Sequence, residues 1–302
     1  MRGAAKGQLR GQLRGTAKGP LRGAMKALKW VIILLIPLNL MILLVSFAFP
    51  GKLVWFDNYQ VAVQKMVVHQ MDKNHSMKIF RPQHADPYVA TAIQYEELMP
   101  YLDDIQPGTL FFSVHGRRVS KIFIRKEWKH CGIYLGTLPR IEQYWGKDHD
   151  LVTCLRTFYT TGEEQLVFDS SYDQGVSVHN IREMAGLHHI STLRKLLLFE
   201  FTRNKEAWSQ AIQNSMSHLG KAYDYCFVLD NDDALYCAEF LDQALPLEKN
   251  YFTPSAKIAG RPLLLPSDLV DAILDKGISS GAFTLKACIS KKEGAMSVQP
   301  LH

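Results

Sequence analysis

The hydrophobic pattern separates an uncharged block near the N-terminus from a body of alternating and helical stretches. Residues 31–49 contain no charged side chain. In a helix, 19 residues span about 30 Å, the thickness of the hydrocarbon core of a bilayer. We therefore predict one transmembrane helix over residues 30–50, an uncleaved signal anchor. A cleaved signal peptide and a buried core helix are the alternatives.

Short alternating stretches begin after the turn at Pro107-Gly108 and predict strands. The predicted strands are Thr109–Val114, Ser120–Arg125, Cys131–Gly136, Gln165–Asp169, Gly175–His179 and Arg194–Phe201. Residues 137–164 are too many for a hairpin loop, so we predict an insertion there.

Helical periodicity dominates the rest of the body. The predicted helices are Ala85–Leu102, Lys205–Leu219, Tyr236–Leu245 and Pro266–Leu274. Strands followed by helices favour an α+β domain in which an antiparallel sheet packs against helices. The last 20 residues show no clear pattern.

Charge changes this picture at the N-terminus. The chain has 302 residues and a formal net charge of +6, but residues 1–29 hold eight basic and no acidic side chains. The rest carries 27 basic against 29 acidic side chains, which argues against a nucleic-acid-binding body. A basic segment before an apolar helix is typical of a cytoplasmic N-terminus. We therefore expect a single-pass inner-membrane protein with a periplasmic body if the source is a bacterium; a mitochondrial address is the secondary alternative.

The predicted organisation has five parts. They are a basic disordered cytoplasmic tail (1–29), the transmembrane signal anchor (30–50), a helical connector (51–103), a folded domain (104–275) and a C-terminal tail (276–302).

Two short segments carry candidate chemistry. Cys237 lies in the first turn of a predicted helix, where the helix dipole and free N–H groups favour a thiolate. His130 begins a strand, and a thiolate beside an imidazole is the minimal nucleophile–base pair for acyl transfer. Asp169 ends a strand that we expect to neighbour this one, so it can orient the imidazole. Cys131 should face away from the site, because adjacent strand residues point to opposite faces.

Six motifs together resemble, in order, those of the circularly permuted papain-like NlpC-type cysteine hydrolases, a group that includes lecithin–retinol acyltransferase-like enzymes. The motifs are Ile105–Phe112, His130–Gly136, Leu166–Ser170, Gly220–Tyr225, Tyr236–Phe240 and Leu265–Leu269. The resemblance spans roughly residues 104–272.

The resemblance implies a permuted papain-like domain with Cys237 as nucleophile, His130 as base and Asp169 as the third polar residue. Tyr225 lies 12 residues before the cysteine, where non-permuted relatives place an oxyanion-stabilising tyrosine. No metal or organic cofactor is implied. The expected partners are the lipid bilayer and a peptide or lipid acyl substrate, with no nucleic acid. Hydrolysis of cell-wall peptides, acyl transfer on lipids and a non-catalytic envelope binding protein all stay open.

Overall fold

The structure is a computed structural model of the chain. It describes residues 35–45, single positions between 49 and 66, and residues 92–299 except for 116–125, 186–192, 203–204, 230–232, 259 and 293. Contacts divide the chain into two compact units, Met1–Gln64 and Lys65–His302.

Little of the first unit is described. Residues 35–45 are helical, and within the described positions no helix is both long and apolar enough to cross a bilayer. Residues 30–34, 46–48 and 50 of the predicted span lie outside the described residues. The transmembrane helix therefore stays a prediction.

The second unit contains seven labelled α-helices and nine strands in its described part. In chain order they are α1 (Tyr95–Leu102), β1 (Thr109–His115), β2 (His130–Gly136), α2 (Leu138–Trp145), α3 (Asp150–Arg156), β3 (Leu166–Ser171), β4 (Gly175–Asn180), α4 (Ile181–Ala185), β5 (Leu193–Phe201), α5 (Lys205–Ser217), α6 (Cys237–Ala244), β6 (Ala256–Ile258), β7 (Arg261–Leu263), α7 (Pro266–Ala272), β8 (Phe283–Lys292) and β9 (Ala295–Gln299). A short π-helix over Ile273–Gly277 continues α7.

One antiparallel sheet organises the unit, in the order β4-β3-β2-β1-β5-β8-β9. This confirms the predicted α+β class. Five predicted strands correspond to β1–β5, and the predicted strand Ser120–Arg125 lies outside the described residues. The predicted helix Ala85–Leu102 is shorter where it is described. It begins at Tyr95, because Gln94 has the extended backbone of an N-cap residue (φ −85°, ψ 157°).

Each face of the sheet is buried by a different set of helices. One face, with Cys131 and Phe168, shares a core with α5, α6 and α7. The other face, with Phe111 and Tyr134, packs against α1 and α4. Every residue of β2 is consequently buried, as expected for a strand covered on both sides.

The predicted insertion at 137–164 contains two helices, α2 and α3. Their apolar residues Ile141, Val152 and Leu155 belong to the core on the α6 side of the sheet. Because α2 follows the last residue of β2, this segment starts at the end of that strand opposite His130, about 20 Å away at the usual rise per residue.

The prediction of a featureless C-terminal tail over 276–302 is wrong for the described residues. β8 pairs with β5, and β9 pairs with β8, so both extend the main sheet. A shift in register between Leu198 and Phe199 interrupts the pairing. Alternation in β8 is interrupted too, since Ala287, Cys288 and Ile289 are buried in succession. The sequence itself alternates over Phe283–Ser290, with Phe, Leu, Ala and Ile at every second position, so a signal for this strand was present and was missed.

Candidate active site

His130 is held at the entrance to β2 by hydrogen bonds of the residues just before it. The N–H of Lys129 donates to the Ser113 carbonyl (3.0 Å). The N–H of Trp128 donates to Ser267 Oγ (3.1 Å) at the start of α7. The imidazole itself is buried and lies against the Phe111 ring, with centroids 5.9 Å apart. Its position is therefore set by β1 and α7 as well as by its own strand.

A glycine brings the acid close to this histidine. Gly132 pairs with Asp169 across β2 and β3. A Cβ at position 132 would lie 2.7 Å from both the Asp169 Cβ and the Phe168 carbonyl oxygen. Without that atom the strands can approach, and His130 Nε2 lies 2.7 Å from Asp169 Oδ2. The carboxylate is 1% exposed, so water screens the pair poorly.

Cys237 is the first residue of α6 and is fixed by the segment before it. The Leu235 carbonyl accepts a hydrogen bond from Ser170 Oγ on β3 (2.5 Å). The Tyr236 hydroxyl accepts one from the Leu264 N–H (3.2 Å). Tyr236 is the N-cap residue of α6. Its backbone is extended, and its side chain makes no capping hydrogen bond. The first-turn N–H groups of α6 therefore point toward the cysteine without a side-chain acceptor at the cap.

His130 and Cys131 are the neighbouring groups that lower the pKa of the Cys237 thiol. The hydrogen bond from the Cys131 side chain is the largest effect on the pKa of the Cys237 thiol; burial opposes it, and His130 reinforces it. The net result holds this pKa well below its usual value of 9.0. Because Asp169 occupies Nε2, Nδ1 is the ring nitrogen left for the sulfur.

The pKa of the His130 imidazole is raised, whereas that of the Cys237 thiol is lowered. Burial lowers the pKa of His130, but the charge and hydrogen bond of Asp169, together with Cys237, outweigh it and raise the pKa to about 9. A lowered thiol pKa and a raised imidazole pKa both favour the thiolate–imidazolium form of the pair. The structure thus brings together Cys237, His130 and Asp169.

The expectation that Cys131 faces away from the site is wrong. Cys131 does lie on the face of β2 opposite His130, but α6 packs on that face. Cys131 and Cys237 therefore belong to the same core, on the α6 side of the sheet. Alternation along the sequence predicts the face of β2 on which Cys131 lies. It does not predict that α6 packs against that face.

Tyr225 occupies a different position from the other three predicted residues. Its hydroxyl donates to the carbonyl of Tyr172, in the turn between β3 and β4. Its ring packs edge-on against Tyr223, with centroids 5.1 Å apart. The hydrogen bond that fixes this hydroxyl thus holds the β3–β4 turn, and the oxyanion role stays a prediction.

Two polar residues near the site were missed in the sequence. His179 on β4 places Nε2 3.6 Å from Asp169 Oδ2, so the carboxylate faces two histidines. Its position follows from the register, since His179 pairs with Val167, which shares a face with Asp169. Asp224 accepts hydrogen bonds from the N–H groups of Cys226 (2.7 Å) and Val228 (2.6 Å). It thereby shapes the loop that leads toward α6.

None of the five cysteines, all of which lie in the described part of the chain, forms a disulfide. Among the residues that the structure describes, no group of three or more His, Cys, Asp or Glu side chains is arranged to hold a metal ion.

Comparison with known proteins identifies one family. The profile of a family described as permuted papain-like amidase enzymes, YaeF/YiiX, C92 family, matches residues 104–284. A crystal structure of the metalloprotein yiiX from Escherichia coli O157:H7 is similar to 62% of this chain and 97% of that one, at 15% identity and a TM-score of 0.37. The comparison with curated proteins finds no match. The permuted papain-like character is confirmed, whereas the NlpC-type and acyltransferase kinship stays a prediction.

Proposed function

We propose, from the premise that the chain belongs to the C92 family of permuted papain-like amidases, that it hydrolyses an amide bond with Cys237, His130 and Asp169. One observation carries the proposal. His130 Nε2 lies 2.7 Å from Asp169 Oδ2, and the same imidazole lowers the pKa of the Cys237 thiol at the start of α6. This is the arrangement of nucleophile, base and orienting acid that acyl transfer requires.

Acylation uses the ion pair directly. The Cys237 thiolate attacks the amide carbon, a C–S bond forms, and the carbonyl electron pair moves onto oxygen. The first-turn N–H groups of α6 are the proposed donors to that oxyanion. His130 then gives its proton to the amide nitrogen as the C–N bond breaks, which releases an amine and leaves a thioester.

Deacylation reverses the roles. Neutral His130 takes a proton from water, whose oxygen attacks the thioester carbon. The C–S bond then breaks, the acid product leaves, and Cys237 returns as a thiolate beside the imidazolium. Asp169 keeps the ring oriented and stabilises its positive charge in both steps.

We propose a peptide amide as the substrate class, because the family is described as amidases. The uncharged stretch over 31–49 supports a membrane anchor, which would hold the domain outside the inner membrane beside the cell-wall peptides. Lipid acyl groups are the competing substrates, and they are one arm of the test.

The test offers the full chain two substrate sets, cell-wall peptides with an amide bond and acyl lipids in micelles. We expect amine release from the peptides. Cys237→Ala should lose at least about 10³-fold in turnover. Cys154→Ala is the matched control, since that thiol is free and exposed on α3, and it should keep full activity. Turnover that survives Cys237→Ala would refute the mechanism, and turnover of lipids alone would refute the substrate class.

A further inference from the structure

The carboxylate of Asp169 has a second histidine beside it, which the amidase mechanism does not use. His179 Nε2 lies 3.6 Å from Asp169 Oδ2, and the same oxygen lies 2.7 Å from His130 Nε2. The side chains of His179 and Asp169 are 10% and 1% exposed. Water therefore screens the attraction between them poorly, and this attraction acts on the group that orients the His130 imidazole.

We propose that His179 is a positioning residue of the active site, which holds the Asp169 carboxylate in the orientation that His130 needs. This inference rests on the proposed function, since it adds a residue to the same site. His179 acts through Asp169 and not on the substrate. Its removal should therefore slow the chemical step and leave substrate binding unchanged.

The register of the sheet places the two histidines on opposite sides of the acid. Asp169 pairs with Gly132 on β2 and with Ser177 on β4. His130 lies two residues before the first of these partners, and His179 lies two residues after the second. Residues two apart in a strand share a face, so both imidazoles lie on the face that carries the carboxylate. Because β2 and β4 both run antiparallel to β3, the histidines are displaced in opposite directions along it.

The carboxylate needs a second contact because one hydrogen bond does not fix its plane. The terminal torsion of an aspartate is broad and roughly two-fold, so rotation can carry Oδ2 away from His130. A carboxylate oxygen is an acceptor only, so the attraction requires a proton on His179 Nε2. At 3.6 Å the contact is electrostatic and too long for a hydrogen bond, but it draws the same oxygen that His130 binds. It therefore favours the orientation in which Oδ2 faces His130.

His179 is in turn held at its other ring nitrogen. Its Nδ1 lies 3.4 Å from Ser177 Oγ, and this hydroxyl lies 3.2 Å from Gln174 Oε1. The Gln174 amide donates to Glu183 Oε2 on α4 (3.1 Å). A hydroxyl can donate to Nδ1 or accept from it, so this anchor is compatible with a proton on Nε2. A chain of polar contacts thus connects α4 to Asp169.

A double-mutant cycle on the full chain tests this role with two readouts. The first is the rate at which iodoacetamide labels Cys237, which reports the thiolate and needs no substrate. The second is kcat and KM on an accepted amide substrate. We expect His179→Leu to lower the labelling rate and kcat by roughly 3–30-fold, as for other residues in contact, with KM within about twofold. In the Asp169→Asn background the same substitution should cost less than about twofold, because no charge is left to position.

Two amide variants and one control sharpen the comparison. His179→Gln places an N–H near the position of Nε2 and should stay within about threefold of the unmodified chain. His179→Asn is too short to reach Asp169 and should resemble His179→Leu. Val178→Ala removes a half-buried side chain from the other face of β4 and should leave both readouts within about twofold. If His179→Leu does not fold, His179→Gln and His179→Asn decide the result.

The outcomes separate this inference from the proposed function. The positioning role is overturned if His179→Leu costs as much in the Asp169→Asn background as in the unmodified chain. It is also overturned if His179→Gln is no better than His179→Asn, or if KM rises while kcat is unchanged. A labelling rate that follows the expected cycle in a chain that hydrolyses no amide keeps the positioning role and refutes the amidase. Hydrolysis that requires Cys237 but does not depend on His179 keeps the amidase and overturns the inference.

Discussion

At the scale of single residues, the site depends on an acid with a short side chain, Asp169. A shorter side chain needs a closer backbone, and the absence of a Cβ at Gly132 allows this approach. The result is the 2.7 Å contact between His130 Nε2 and Asp169 Oδ2. The close approach of β2 and β3 at Gly132 thus suits the short side chain of Asp169.

Replacing this acid gives the first prediction. Asp169→Asn keeps the shape of the side chain but removes the charge that stabilises the imidazolium. We expect turnover to fall by roughly 10–10³-fold, less than the about 10⁴ known for the serine-protease arrangement, because a thiolate–imidazolium pair forms more readily. Initial rates on an accepted amide substrate measure the effect, with the melting temperature as the folding control.

The matched variant is Asp173→Asn, in the exposed turn after β3. Its carboxylate accepts a hydrogen bond from Ser171 Oγ (2.9 Å), and its loss should leave turnover nearly unchanged. Equal losses from the two variants would mean that Asp169 does not orient the imidazole.

The pKa of His130 gives a pH prediction. The imidazolium donates the proton to the leaving amine, and its pKa is about 9. Turnover should therefore hold at neutral pH and decline as the pH rises through about 9, where this proton is lost. In Asp169→Asn the negative charge that raises the pKa of His130 is gone, while burial still lowers that pKa. The fall in turnover at high pH should therefore begin at a lower pH. If turnover falls at the same pH in both proteins, a group other than His130 is responsible for the fall.

At the scale of elements, periodicity predicted β1–β5 and α5–α7 but could not predict every contact between them. The position of Cys237 at the start of α6 followed from a local pattern, whereas its place in one core with Cys131 depends on the face that α6 covers. Tyr225 shows the same limit. Its spacing before the cysteine suggested a role at the oxyanion. In the structure its hydroxyl donates a hydrogen bond to the Tyr172 carbonyl. Local spacing does not encode long-range hydrogen bonds.

The C-terminal strands supply a prediction about stability. Phe283 on β8 is 1% exposed and packs against Phe201, with ring centroids 5.1 Å apart. Phe283→Ala should lower the free energy of unfolding by about 3–5 kcal/mol. Val298→Ala on the half-buried edge strand β9 should cost about 1 kcal/mol or less. Denaturant unfolding curves compare the two, and similar midpoints would show that β8 contributes little to the folded sheet.

At the scale of the whole molecule, charge and hydropathy point to different surroundings for the two ends of the chain. Eight basic side chains and no acid precede the uncharged segment, and only Lys52 follows it closely. The remaining sequence is almost neutral, with 27 basic against 29 acidic side chains. We therefore expect residues 1–29 to set the orientation of the chain in a membrane.

This asymmetry leads to the topology prediction. Positive charge is retained on the cytoplasmic side of the first span, so a reporter that is active only in the periplasm should be active when fused after residue 302 in a bacterial host. Replacing the eight basic residues of 1–29 by Gln removes the retained charge and should reduce that activity. The control replaces Lys205 of α5 and Lys286 of β8, which lie far along the chain, and should leave the reporter signal unchanged. Full-length protein should sediment with membranes, whereas a soluble product beginning near Phe49 would indicate a cleaved signal peptide.

Activity of a cytoplasm-only reporter at the same fusion point would reverse the proposed orientation, and with it the access of Cys237 to cell-wall peptides.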